Sequence, residues 1–127
     1  MVKCEPVLMT FEEGEGRTKV SMMIIKICQD ILTLIYGGDK PHIGAIAIGI
    51  PSLGEFTREK QVSVSVFTMP GHRDYELVRK PANLFSSKTK GKTVVVAGVH
   101  IEKAHRKEIE EILRNTEILV EKACKYI

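Results

Sequence analysis

Three of the four histidines stand beside glycines at chain reversals, the places where imidazole chemistry would first be sought. His42 follows Gly37, Gly38, Asp39, Lys40 and Pro41 and precedes Ile43 and Gly44. His72 lies between Gly71 and Arg73, and His100 follows Gly98 and Val99. Glycine tolerates a positive φ and lets another backbone come close, while imidazole offers a donor, an acceptor or a proton near neutral pH. If these turns lie at one end of a sheet, they can converge.

Such turns suit three kinds of chemistry. The first is anion binding, because Gly71, His72 and Arg73 precede a predicted helix whose free N–H groups and positive dipole end favour a phosphate. Arg73 adds charge-assisted donors. Against it, Asp74 and Glu76 already answer that dipole as first-turn acids, and no Walker or GxGxxG fingerprint is present. The second is metal binding by His42, His72, His100 and His105 with Asp39 or Glu102. His100 and His105 are five apart, whereas an HExxH pair is four apart on one helical face, so no metal ligand is assigned. The third is acid–base catalysis by His100 or His42 beside Asp39. Nothing fixes a nucleophile: Cys28 falls at a predicted strand end with no feature to activate it. The plainest alternative is that the histidines hydrogen-bond the turns that contain them.

Composition narrows the field. A chain of 127 residues, 43% hydrophobic and 28% charged, is expected to fold as one globular domain spanning 1–127. The net charge of +3 is small and mixed, without the concentrated basic face that nucleic acid demands. Lys26, Asp30 and Asp39 interrupt the most apolar stretch, so no membrane span is expected. The first residues lack the pattern of a signal peptide, which leads to an expectation of a cytoplasmic protein. Cys4, Cys28 and Cys124 are odd in number, and none forms a CxxC pair; reduced, partly buried thiols are expected. Glutamine occurs only at 29 and 61 and asparagine only at 83 and 115, a scarcity common in proteins from hot environments.

The elements that must position the turns follow from periodicity. Residues 3–11 and 18–28 are β-branched and apolar around a polar loop with Gly14 and Gly16, which predicts a hairpin with Pro6 on its edge strand. Gln29 and Asp30 predict a second tight reversal into a strand over 31–36. Residues 42–50 alternate isoleucine with small residues, so the isoleucine face is expected on the core. Ala45, Ala47 and Gly49 then leave a thin face for a neighbouring backbone, a ligand or a subunit, with tight packing the simpler explanation. Residues 61–67 alternate valine inward with serine outward. Residues 73–87 read as a helix facing inward through Leu77, Val78, Leu84 and Phe85, kinked or restarted by Pro81. Residues 93–97 form an almost continuous apolar run, the mark of a central strand buried on both faces. A second, longer helix over 104–125 points Ile109, Ile112, Leu113, Leu119, Val120 and Ala123 inward. The fold class is α+β: a mainly antiparallel sheet with two helices packed on it, the longer one C-terminal.

The stretch from Gly37 through Gly38, Asp39, Lys40, Pro41, His42 and Ile43 to Gly44, together with Gly98, Val99, His100 and Ile101, resembles the LpdD-like family. Members of that family are regarded as candidate prenylated-flavin chaperones associated with UbiD-type decarboxylases. The resemblance runs from about residue 22 to the C-terminus and leaves out the first hairpin. It implies a non-catalytic accessory protein that binds prenylated FMN and assists maturation of a UbiD-type decarboxylase. The implied flavin-phosphate or docking surface is built from Gly38, Asp39, His42, Gly44, His72 and His100, and Gly71, Arg73 and Gly98 extend the set of candidate cofactor-binding residues. Two rivals stand beside it: a small enzyme using His100 or His42 as general acid–base, and an assembly protein whose glycine turns shape a homo-oligomer interface.

Overall fold

A computed structural model describes residues 4–52, 62–70 and 74–127. Six strands form one sheet in the order β1-β2-β3-β6-β4-β5. They span Val7–Glu13 (β1), Val20–Ile27 (β2), Asp30–Gly38 (β3), Ala45–Pro51 (β4), Val62–Thr68 (β5) and Thr93–His100 (β6). Among the described residues, only the β3–β6 pairing is parallel; the other four are antiparallel. Helices α1 (Tyr75–Thr89) and α2 (Arg106–Cys124) pack on one face of this sheet, α1 against β4, β5 and β6 and α2 against β1 and β2. The expected α+β class, with its longer helix C-terminal, is what the chain adopts.

Both predicted hairpins form. The first loop contains one 3-10 turn, Gly16–Thr18, and the second reverses at Cys28, whose φ of 55° is left-handed. Pro6 immediately precedes the edge strand β1, where its missing N–H costs no ladder bond. Alternation places Met22, Ile24, Ile31, Ile35 and Val95 under the helices, in one core with the fully buried Phe85 of α1. Burying such an aromatic side chain contributes roughly 2–3 kcal/mol.

Four details differ from the sequence reading. In β4 the small face is the buried one: Ala45 and Ala47 are fully enclosed, whereas Ile46 and Ile48 are half-buried and Ile50 is exposed on the far side. The reason is the close seat of α1. A Cβ on Gly49 would come within 2.6 Å of the Ala82 carbonyl oxygen, so the helix backbone itself fills the space that a larger side chain would need. The simpler explanation, tight packing, therefore accounts for the small residues.

Second, β6 lies inside the sheet as expected, yet helices cover only one of its faces. Thr93, Val95 and Ala97 are buried, while Val94 and Val96 are half-buried on the open side. Third, α1 runs unbroken through Pro81, which is buried, although proline removes one backbone N–H from the helix ladder. Leu84 in α1 and Ile109 and Leu113 in α2 are exposed rather than inward, and Asn115 and Thr116 take inward positions instead. Asn115 is held there by donating to the Thr18 carbonyl at 2.9 Å. Fourth, Cys4 and Cys28 form a disulfide with Cα atoms 5.2 Å apart, and Cys124 alone is free. The β1–β2 register explains the pairing: continued outward from Val7 opposite Lys26, it brings residue 4 within one position of residue 28. Among the described residues, no helix is long and apolar enough to cross a membrane.

Candidate functional site

Parallel pairing of β3 with β6 sets Gly38 opposite His100, so two of the three glycine-histidine turns leave the sheet side by side. After Gly38, whose φ is +83°, the chain folds back over the end of β6. The Asp39 N–H donates to the His100 carbonyl at 2.7 Å, and the Gly44 N–H donates to the Ala97 carbonyl at 2.8 Å before β4 begins. Residues 42–44 are therefore a crossing segment and not the start of the strand.

The glycines make this crossing possible by what they lack. A Cβ on Gly98 would collide with the His42 carbonyl, one on Gly38 with the His100 carbonyl, and one on Gly44 with the buried Asp74 carboxylate. The space beside each glycine is thus occupied by the chain itself. What remains open to solvent are side chains.

Two imidazoles result. His42 and His100 face each other edge to plane, with ring centroids 5.7 Å apart. Nδ1 of His42 lies 3.0 Å from the Lys40 carbonyl, which fixes the ring to its own turn. Nε2 of His100 lies 3.5 Å from Oε1 of Glu102, and Nζ of Lys40 lies 3.2 Å from the same oxygen. Lys40, by side-chain hydrogen bond and charge, and His100 beside it hold the Glu102 carboxyl below the usual carboxylate range.

Asp39 is engaged elsewhere. Its Oδ2 accepts the Glu102 backbone N–H at 3.0 Å and lies 3.4 Å from Nη2 of Arg17. Arg17 also donates to the Glu102 carbonyl at 2.5 Å and pairs with Glu108 at 3.4 Å. This arginine ties the 3-10 turn, both glycine turns and the start of α2 together. Sequence reasoning missed it, and no local signal marks it, because its partner carbonyl is 85 residues away. The carboxylate beside His100 is Glu102, not Asp39.

His105 sits at the N-cap of α2, exposed, and its N–H donates to Glu108 at 3.0 Å. Gly71, His72 and Arg73 lie outside the described residues. Asp74, which follows them, reaches the cluster at Gly44. Among the described residues, no three histidine, cysteine, aspartate or glutamate side chains are grouped to hold a metal ion. A separate groove of about 320 Å³ opens between α1 and α2, floored by Leu77, Pro81 and Val120 with Leu84 and Leu113 at its sides.

Strand alternation adds an electrically neutral floor. Tyr36 pairs with Gly98 and Ile46 pairs with Val96, so Tyr36, Ile46 and His100 point to the sheet face that the helices leave open. The histidine pair therefore stands at one end of a flat apolar surface.

Comparison with known proteins bears on both fold and family. The family model described as "Prenylated flavin chaperone LpdD-like domain" matches residues 14–127. Comparison with curated proteins finds no match. A yeast structure titled "Crystal Structure of a Novel Chaperone Complex for Yeast 20S Proteasome Assembly" aligns over 98% of this chain and 94% of its own, with a TM-score of 0.60 at 10% identity. At that identity the likeness is one of fold.

Proposed function

Because the chain belongs to the prenylated flavin chaperone LpdD-like family, we propose that it is a non-catalytic accessory protein that binds prenylated FMN and delivers it to a UbiD-type decarboxylase. The observation that carries this reading is the meeting of the two turns, which sets His42, His100 and Lys40 together at the end of an apolar sheet face. Imidazole and ammonium groups are the donors a phosphate needs, and a flat apolar surface suits a prenylated ring system. The donor set fits, with one competitor: Glu102 already engages Lys40 and His100. An arriving phosphate takes over donors that Glu102 holds in the free protein. Bound here the flavin is cargo, and its chemistry belongs to the decarboxylase.

In this reading the glycines shape the site. Gly38, Gly44 and Gly98 allow the crossing, Asp39 braces it through Arg17, and the two imidazoles with Lys40 make the contacts. The rival acid–base reading retains one supporting observation, the His100–Glu102 pair. It predicts a turnover that His100→Ala abolishes without unfolding the protein.

The test is a titration with reduced prenylated FMN, followed by transfer to apo-decarboxylase. Saturable binding and faster activation are expected. His42→Ala with His100→Ala should weaken binding on the order of 10-fold or more, the worth of a charge-assisted hydrogen bond. Neither binding nor activation by the wild-type protein would sink the proposal.

A further inference from the structure

The side of the sheet opposite the helices is apolar, and among the described residues no helix covers it. Leu32 and Leu34 lie on β3, an interior strand, yet they are 45% and 36% exposed. Around them, Val94 and Val96 of β6 and Ile46 and Ile48 of β4 are only half-buried. Interior strands normally bury both faces when their sequences are as continuously apolar as residues 93–97. Here sequence and fold disagree unless something covers the second face.

The extent of the surface can be set against what an interface requires. Six strands at ~4.8 Å spacing, each presenting about six residues at ~3.3 Å, give a footprint of roughly 600 Å². Its apolar centre, the four strands β2, β3, β6 and β4, covers about 400 Å², the size of a monomer's largest and often functional patch. Doubled across two partners, the whole footprint reaches about 1,200 Å², the lower end for a stable specific complex.

We propose that the occupant is a second copy of this chain, seated face to face through β3, β6 and β4 as a two-sheet sandwich. The outward residues of β2, β3, β4 and β6 include no lysine or arginine and one acid, Asp30 at the first position of β3, which has Lys92 4.0 Å away, so the face meets itself with little like-charge repulsion. A partner selected by charge would find only Asp30, at the end of the face and beside Lys92, to read. The margins are polar, with Ser63 and Ser65 on one edge strand and Thr10 and Glu12 on the other, which is the apolar core and polar rim of an interface. A two-fold pairing of identical patches closes the assembly and leaves no repeat to propagate. It places the His42–His100 pair at the interface margin, so the second copy walls one side of that site. The dimer does not depend on the flavin reading; it stands or falls on the sheet face alone.

Sedimentation equilibrium across the micromolar range decides it. The wild-type protein is expected at twice its 14.2 kDa chain mass, and Leu34→Glu is expected at the chain mass with an unchanged circular dichroism spectrum. Leu84→Glu, in the groove between the helices, should remain dimeric. If Leu34→Glu does not fold, Ile48→Lys takes its place with the same readout. A monomeric wild type overturns the proposal, as does a dimer that survives both sheet-face substitutions. So does a monomer that uses this face only to bind the decarboxylase.

Discussion

Gly98 lies directly beneath the carbonyl of His42. A Cβ at position 98 would overlap that oxygen, so the crossing of residues 42–44 over β6 depends on the absence of a single methyl group. Gly98 does not need a left-handed φ, unlike Gly38 at +83°. Its constraint is purely steric. Gly98→Ala should therefore lift the crossing segment, break the Gly44-to-Ala97 hydrogen bond and separate the two imidazoles. A destabilisation of about 1–3 kcal/mol is expected from overpacking at a buried position, measured by urea unfolding. Imidazole NMR shifts of His42 and His100 should change together. Unchanged shifts would show that the crossing does not hold the pair.

How much of this was legible beforehand differs from residue to residue. Strand-end glycines announced the two turns, and the apolar run at 93–97 announced an interior strand, because both signals are local. The parallel register that sets Gly38 opposite His100 is not local: it joins strands 62 residues apart and has no signature in either. Arg17 was invisible for the same reason. Alternation in β4 shows that its two faces differ but not which one meets the helix, so the isoleucine face expected on the core is the outer one. The backbone of α1 at Ala82 decided that. Cys4 and Cys28 have uninformative spacing, and only the β1–β2 register brings them together.

Thr33 offers a test of the core. Its hydroxyl is fully buried on β3 between Ile24 and Val95 and, among the described residues, is the buried side-chain polar atom without a hydrogen-bond partner. Leaving a hydroxyl unsatisfied costs about 1 kcal/mol or more. Thr33→Val keeps the shape and the β-branching while removing that group. Stability should rise by about 1 kcal/mol, with Tm up by roughly 4 °C. A loss of stability would mean that the hydroxyl has a partner.

Glu102 gives the site a pH dependence of known sign. Lys40 first and His100 second keep its folded pKa below the unfolded value. Its contribution to stability is therefore present above the unfolded carboxylate pKa and fades as pH falls through the folded one. Because the group is exposed, solvent screening keeps that contribution small. Carboxyl-detected NMR titration should show the Glu102 pKa rising toward the ordinary range in Lys40→Met. If it stays depressed, His100 rather than Lys40 is the controlling charge.

The cysteines separate by reactivity. With Cys4 and Cys28 joined, one thiol remains. Burial pushes the Cys124 thiol up from its usual value, and nearby Lys88 only partly offsets this. Thiolate is the reactive species, so alkylation at neutral pH should be slow and accelerate as pH rises. Denatured without reductant, the protein should take up one alkyl group by mass spectrometry; after reduction it should take up three. Reduction should also cost stability, since the bridge closes a loop with a sequence separation of 24, worth roughly 3 kcal/mol in the chain-entropy account. The Cys4→Ser, Cys28→Ser double variant should reproduce that loss and be insensitive to reductant. Three reactive thiols in the unreduced, denatured chain would refute the bridge and return both cysteines to the free state that their spacing suggests.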